Sequence, residues 1–159
     1  MPVVHPIEPL FSENSHTLIL GSFPSVASRR EVFYYAHPQN RFWRVLAALY
    51  GEPVPETTAQ KKRLILSHGL ALWDVIASCE IVGSSDSSIR SVIPSDLSVI
   101  MNNCTIKHIY VNGKTAARFY ARYQAALPPA KCLPSTSAAN AAWRFEDLLD
   151  AWRVIRDPL

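Results

Sequence analysis

The chain has 159 residues, of which 48% are hydrophobic and 18% are charged, and its formal net charge is +3. This length suits one domain, residues 1–159, and the apolar content excludes intrinsic disorder because it is sufficient to fill a core. The segment Met1–Ser15 lacks the apolar run of a signal peptide and no stretch has the length of a membrane span, so we expect a cytoplasmic protein without a membrane partner.

The first half of the chain predicts two strands that enclose two helices. A short apolar run over Thr17–Ser22 indicates the first strand, and the segment Ser25–Gln39 after it is irregular. Apolar residues spaced by three and four predict a helix over Asn40–Tyr50, and Thr57–His68 has the pattern of a second helix. The run Leu70–Ala77 then predicts a buried strand.

The second half continues this alternation. The elements predicted there are, in chain order, a polar loop, a short helix capped by Ser95, a strand, a helix, a strand and an amphipathic helix: Gly83–Ser88, Pro94–Asn103, His108–Val111, Thr115–Ala126, Lys131–Pro134 and Ala141–Arg156. Strands that alternate with helices specify an α/β fold, with a mostly parallel sheet and helices on both of its faces.

Polar or turn-forming residues follow each of the four predicted strands. They are Gly21–Ser25, Asp74, Asn112 and Ser135–Ser137. In open α/β sheets, ligands bind beyond the carboxyl ends of the strands. We therefore expect these residues to converge on one edge of the sheet and to form a site there.

The three cysteines, Cys79, Cys104 and Cys132, are far apart in the sequence. An odd number of thiols in a cytoplasmic protein argues against disulfides, and the absence of close pairs argues against a zinc or iron–sulfur site. We expect buried, inert thiols, and neither a metal nor an organic cofactor.

Several sequence motifs occur in a fixed order: GSFPSVASRREVFYYAHPQNRFW at Gly21–Trp43, WDVIASC at Trp73–Cys79, GSSDS at Gly83–Ser87 and LPSTSAAN at Leu133–Asn140. Together they resemble the uracil-DNA glycosylase superfamily. The likeness is greatest to its hypoxanthine-DNA glycosylase branch, and HPQNRFW also resembles the mismatch-specific uracil/thymine enzymes. The resemblance covers most of residues 17–140. It implies a three-layer αβα sandwich with a central, four-stranded, mostly parallel sheet, and an enzyme that flips a deaminated base out of DNA and hydrolyses its N-glycosidic bond.

The resemblance places catalysis at Asn40. Most of the superfamily carries a catalytic Asp or Asn in the loop after the first strand, where this chain has Phe23, and in the hypoxanthine branch the Asn of the HPxN motif takes over that role. The reaction needs a water held beneath the sugar, and an amide oxygen can accept a hydrogen bond from that water. Asn is also a favoured N-cap residue for the helix that follows, so both roles remain open.

The resemblance also implies a pocket for the flipped base. Tyr35 matches the aromatic that stacks on the base. Asp74 occupies the position of a base-reading Asn, and a carboxylate can accept the N1–H of hypoxanthine or the N3–H of uracil, unless Asp74 instead bonds neighbouring backbone. Asn112 either contacts the ligand or belongs to a tight turn. The loop after the first strand supplies the remaining base contacts: Gly21, Ser22 and Phe23.

Contacts to DNA are expected from two segments. His37 either bonds a phosphate or braces its loop. The loop after the fourth strand resembles the second signature loop of the superfamily, which grips phosphates, although Leu133 stands where many uracil enzymes carry His. Its expected DNA-binding residues are Ser135, Thr136, Ser137 and Asn140, and ordinary turn chemistry with a cap at Asn140 is the alternative.

These features predict a monofunctional glycosylase that acts as a monomer on double-stranded DNA containing a deaminated base, with hypoxanthine preferred. Two alternatives remain. The first is a mismatch-specific uracil/thymine enzyme. The second is an inactive DNA-binding homologue, because Phe23 and Leu133 replace groups that assist catalysis in relatives. A serine hydrolase is excluded because the chain has no Gly-x-Ser-x-Gly motif.

Overall fold

The computed structural model describes residues 1–158, and Leu159, the end of the predicted domain, lies outside the described residues. The strands are, in chain order, β1 (Val3–Val4), β2 (Thr17–Gly21), β3 (Leu70–Asp74), β4 (Ile76–Glu80), β5 (Arg90–Pro94), β6 (His108–Asn112) and β7 (Lys131–Leu133). The helices are α1 (Val26–Glu31), α2 (Phe42–Tyr50), α3 (Thr58–Ser67), α4 (Ser98–Met101), α5 (Lys114–Tyr123) and α6 (Phe145–Trp152). Single 3₁₀ turns lie at Asp86–Ser88, Ala138–Asn140 and Arg153–Ile155.

A four-stranded parallel sheet lies at the centre of the fold, with the strand order β3-β2-β6-β7. Every residue of β2 is buried, as is typical of a strand that helices cover on both faces. The register pairs Gly21 with Asp74 and Asn112 with Leu133, so the carboxyl ends of these strands lie along one edge. The prediction of a four-stranded parallel sheet is confirmed.

Helices cover both faces of this sheet, which confirms the three-layer arrangement. Ile19 and Leu72 belong to a hydrophobic cluster that also contains buried residues of α2, α3 and α6. Leu18, Leu20 and Val111 belong to a second cluster, which contains buried residues of α4 and α5. Successive residues of a strand point to opposite faces, so alternate residues of β2 serve the two clusters.

The prediction of a single strand over Leu70–Ala77 is wrong. This segment contains the whole of β3 and the start of β4, and the two strands belong to different sheets. The backbone N–H of Val75 donates to the carbonyl of Gly21, and β4 then pairs with β1 and β5 in a small antiparallel sheet. The sequence did not indicate this sheet. Strand β1 has only two residues and β5 is largely exposed, so neither shows an apolar run or a clear alternation.

Three predictions about local structure, one for an irregular segment, one for a helix cap and one for a helix boundary, need correction. The segment Ser25–Gln39 is not wholly irregular, because it contains α1, whose first turn the Ser25 hydroxyl caps. Ser95 does not cap α4. Its hydroxyl is buried without a partner within residues 1–158, and the carboxylate of Asp96 accepts from the Ser98 N–H instead. The predicted last helix, Ala141–Arg156, is shorter, since α6 begins at Phe145 and ends in a 3₁₀ turn.

The expectation that all three cysteines are buried holds only in part, because Cys79 is buried, Cys104 is partly buried and Cys132 is exposed. Burial raises the pKa of the Cys79 thiol, and also raises the pKa of the Cys132 thiol, where the Lys114 charge acts in the opposite direction. A raised pKa disfavours the reactive thiolate. Among residues 1–158, no helix combines the length and apolarity needed to cross a membrane.

Trp152 ties α6 to the loop that follows β7. Its side chain is fully buried, its indole Nε1 donates to the carbonyl of Pro134 at 2.8 Å, and its ring packs edge-on against Phe42 with centroids 5.8 Å apart. Trp152→Phe leaves a cavity and an unpaired carbonyl, so we expect the free energy of unfolding to fall by about 2 kcal/mol in denaturant titrations. Trp143 is 40% exposed, and Trp143→Phe should change the free energy of unfolding by less than about 0.5 kcal/mol. Equal losses in the two variants would contradict this role.

Candidate active site

The carboxyl ends of the central strands open into a cavity of about 500 Å³, within the size range of ligand pockets. Eleven of the twelve residues singled out in the sequence line it: Gly21, Ser22, Phe23, Tyr35, His37, Asn40, Asp74, Asn112, Ser135, Thr136 and Ser137. Asn140 is not among the lining residues, and its amide donates to the carbonyl of Ser135 at 2.9 Å, which braces the loop from behind. The parallel register explains the convergence, because it aligns the strand ends from which these residues follow.

Asn40 lines the cavity at the start of α2, and its side chain also serves the helix. The amide oxygen of Asn40 accepts a hydrogen bond from the backbone N–H of Phe42 at 3.0 Å. The capping role that the sequence left open is therefore present, although Arg41 is the residue at the helix boundary. An amide oxygen has two lone pairs, so this bond leaves one site of the oxygen for a water in the cavity.

Tyr35 has a strained backbone and a buried hydroxyl. Its φ of +51° lies in the left-handed region, which non-glycine residues seldom adopt outside special sites. The ring stacks on Phe42 with centroids 3.9 Å apart, so only one of its faces can receive a ligand. The hydroxyl makes no hydrogen bond within residues 1–158. Burial raises the pKa of Tyr35 far above its usual value, the Asp74 charge adds to the rise, and the Asn112 amide opposes it.

Asp74 is buried beside His5, a residue that the sequence analysis missed. The side chains of His5 and Asp74 are 4% and 6% exposed, and His5 Nε2 lies 2.7 Å from Asp74 Oδ2. The bonding of Asp74 to nearby backbone, considered above as an alternative, is not what the structure shows. His5 lies outside all the motifs, and a single His in a proline-containing segment carries no pattern that would have marked it.

The other carboxylate oxygen of Asp74 lies over Gly21. A Cβ placed on Gly21 would be 2.4 Å from Asp74 Oδ1 and 3.1 Å from the hydroxyl oxygen of Tyr35. The missing side chain of Gly21 therefore allows these two polar atoms to approach the end of β2. An acceptor from Asp74 and a donor from Tyr35 thus lie near each other at the base of the cavity.

Asn112 joins the end of β6 to the loop after β7. Its amide nitrogen donates to the hydroxyl of Thr136, and its amide oxygen accepts from the backbone N–H of Thr136, both at 3.0 Å. Thr136 is fully buried, so it has no free surface for a phosphate and holds the loop in place. Of the four loop residues expected to contact DNA, the other three, Ser135, Ser137 and Asn140, are partly exposed.

The polar loop between β4 and β5 forms a further wall of the cavity. Ser84, Ser85, Asp86 and Ser87 all line the cavity. The Ser22 hydroxyl donates to Asp86 Oδ1 at 3.4 Å, and burial raises the pKa of the Asp86 carboxyl, while hydrogen bonds from Thr115 and Ser22 act in the opposite direction. Residues 1–158 contain no group of three or more His, Cys, Asp or Glu side chains arranged to hold a metal ion.

The close approach over Gly21 makes a stability test possible. Gly21→Ala forces the new methyl group against Asp74, so we expect the free energy of unfolding to fall by about 2 kcal/mol, as for overpacking of a dense core. Denaturant titration followed by circular dichroism measures the loss. Ser22→Ala, at the next residue, removes only a long hydrogen bond and should cost less than about 0.5 kcal/mol. A Gly21→Ala variant as stable as Ser22→Ala would show that the approach is not tight.

Comparisons with known proteins agree with this architecture. The family model of the uracil DNA glycosylase superfamily matches residues 8–156. A protein of Methanosarcina barkeri named Hypoxanthine DNA glycosylase is 32% identical over 134 residues, which cover 83% of this chain and 85% of the relative. A protein of the same name from Methanosarcina acetivorans is 35% identical over 133 residues, which cover 82% of this chain and 84% of the relative.

A solved structure shares the fold over almost the whole chain. It is the solution NMR structure of a Methanosarcina acetivorans protein provisionally assigned as a uracil DNA glycosylase, with a TM-score of 0.80 and 28% sequence identity. The superposition covers 98% of this chain and 99% of that one. From the matched family model, the two relatives and this fold, we conclude that the chain belongs to the uracil DNA glycosylase superfamily.

Proposed function

We propose that this protein is a monofunctional DNA glycosylase of base excision repair that removes hypoxanthine from double-stranded DNA. The observation that carries the proposal is that Asn40 and Asp74 line one cavity of about 500 Å³, which is large enough for a flipped base. Membership of the superfamily and the name of the two Methanosarcina relatives support the same reaction.

The base of the cavity offers groups that match hypoxanthine. The carboxylate of Asp74 accepts the N1–H of the base. The free face of the Tyr35 ring supports the base by stacking. These contacts require the base to leave the duplex, because its N1 edge is paired within the helix.

Hydrolysis then requires a positioned water at the sugar. The C1′–N9 bond breaks with its electron pair moving to the purine, and the water adds to C1′ of the oxocarbenium-like sugar. The amide oxygen of Asn40 orients this water, and the proton of the water passes to solvent because an amide does not take it up. Among the described residues that line the cavity none is a lysine, in keeping with attack by water rather than by an amine.

Contacts to DNA come from the rim of the cavity. Ser135 and Ser137 offer hydroxyls on the loop that Asn112 and Thr136 hold, and such groups suit phosphate oxygens. His37 is exposed at the rim, and its Nδ1 accepts from the Gln39 N–H at 3.1 Å, so it braces its own loop and can still reach DNA through Nε2. The protein would act as a monomer in the cytoplasm.

The substrate assignment can be tested with four duplexes that each carry one modified or mismatched base. We expect the purified protein to release hypoxanthine faster than uracil, xanthine or thymine opposite guanine, as measured by chromatography of the free base. Release of uracil or thymine in preference to hypoxanthine would support the mismatch-specific alternative, since Asp74 can also accept the N3–H of uracil. Salt-dependent binding without release of any base would indicate an inactive DNA-binding homologue.

The role of Asn40 can be separated from its capping of α2. Asn40→Ala removes both the cap and the water contact, and Asn40→Ser keeps a capping hydroxyl but does not extend as far into the cavity. We expect single-turnover rates of base release to fall at least about 100-fold in both variants, because each loses the group that orients the water. Thermal unfolding should show that Asn40→Ser is nearly as stable as the unmodified protein. A Ser variant with near-normal activity would assign Asn40 to capping alone.

A further inference from the structure

The buried pair formed by His5 and Asp74 has a defined proton arrangement. The backbone N–H of Ile7 donates to His5 Nδ1 at 3.1 Å, so Nδ1 carries no proton. A neutral imidazole then has its proton on Nε2, and Nε2 donates to Asp74 Oδ2 at 2.7 Å. The proton of this hydrogen bond cannot belong to Asp74 Oδ2 instead. Both nitrogens of His5 would then accept hydrogen bonds, and a neutral imidazole must carry a proton on one of them. Asp74 Oδ2 is therefore held as an acceptor.

Several contacts hold His5 in this orientation. Its backbone N–H donates to the carbonyl of Ala77 at 2.8 Å, beside the pairing of β1 with β4. Its ring meets Phe23 edge-on at 5.8 Å and Trp73 at 6.4 Å. Phe23 thus packs against the His5 ring, and the side chains of His5 and Asp74 are only 4% and 6% exposed to solvent.

The other ionisable side chains near Asp74 do not replace His5 as donor. Tyr34 donates its hydroxyl proton to the carbonyl of Glu8 at 2.6 Å. Asp86 is itself an acid and lines the same cavity. Tyr35 has a free hydroxyl, and within residues 1–158 it forms no hydrogen bond to Asp74. Among the described residues, His5 is the one side chain that bonds and pairs with this carboxylate.

We infer that His5 is a positioning residue that fixes the Asp74 carboxylate with Oδ1 presented to the cavity as a hydrogen-bond acceptor, and that this arrangement lets the enzyme accept hypoxanthine and reject adenine. The inference rests on the proposed function. Hypoxanthine presents an N1–H donor to the carboxylate, whereas adenine presents a lone pair at N1. An ionised carboxylate binds the first and repels the second, and a site built around such a hydrogen bond rejects an analogue that lacks the donor. Normal adenine in DNA is thereby excluded.

Two substitutions of His5 separate the donor to Asp74 from the contact with the backbone. The side-chain nitrogen of Gln lies near the position of His Nε2, so His5→Gln keeps a donor to Asp74 and loses the acceptor for the Ile7 N–H. The side-chain oxygen of Asn lies near the position of Nδ1, so His5→Asn keeps the backbone contact and does not reach Asp74. Without a donor, the buried carboxylate is no longer held in place and turns toward another partner, so the acceptor for N1–H is lost.

The experiment measures kcat/KM for release of hypoxanthine and of unsubstituted purine, which lacks N1–H, from otherwise identical duplexes, with adenine as a third substrate. We expect His5→Gln to keep the hypoxanthine-to-purine ratio of the unmodified enzyme within about 3-fold. We expect His5→Asn to lower that ratio at least about 10-fold, chiefly by slowing hypoxanthine release. Thermal unfolding of each variant shows whether it is folded at the assay temperature.

The opposite order, with His5→Asn normal and His5→Gln impaired, would overturn the inference, since it is the result expected if His5 only anchors the backbone. Unchanged ratios in both variants would overturn it as well. An unmodified protein that releases no hypoxanthine would contradict the proposed function, and this inference with it. An unmodified protein that releases hypoxanthine, with variants that fail the expected order, would contradict this inference alone.

Discussion

The parallel pairing of β2 with its neighbours is the constraint on which the site depends. It puts Gly21 beside Asp74 in register and brings Asn112 level with Leu133, so that four loops leave the sheet at the same edge. The cavity is the space between these loops. The absence of a side chain at Gly21 then allows Asp74 and Tyr35 to lie near each other at the end of β2. A shift of one residue in this register would turn the side chains of the strand ends to opposite faces and disperse the site.

Burial of the Asp74 carboxylate opposes stability, and the structure offsets it with few contacts. A buried charge is costly unless a partner or hydrogen bonds compensate it, and within residues 1–158 the Asp74 side chain obtains one short hydrogen bond, from His5. A second oxygen of the carboxylate remains directed at the cavity, where a ligand can complete its hydrogen bonding. The strained backbone of Tyr35 lies at the same place, as does its hydroxyl, which has no hydrogen-bond partner in the described part of the chain. Local strain and incomplete hydrogen bonding are commonly concentrated at functional sites.

Single side chains here combine structural and chemical tasks. Asn40 caps α2 and faces the cavity, and Asn112 holds the neighbouring loop while it lines the same space. From the sequence alone, capping and catalysis are alternative interpretations of Asn40. The geometry shows that they are compatible, because one oxygen can accept two hydrogen bonds. Phe23 similarly lines the cavity and packs edge-on against the His5 ring, so one side chain belongs both to the cavity wall and to the packing around His5.

By itself, the sequence determined the four parallel strands, the helices on both faces and the convergence of the motif residues on one edge. Apolar periodicity and the order of strands and helices depend on residues that are close together in the chain, so the sequence is sufficient to predict them. Only the tertiary structure decided the small antiparallel sheet, the division of Leu70–Ala77 and the partner of Asp74. His5 and Asp74 are separated by 69 residues, and their contact arises when β1 docks on β4. No periodicity records a contact of that range, because it depends on how separate elements pack and not on the residues adjacent in the chain.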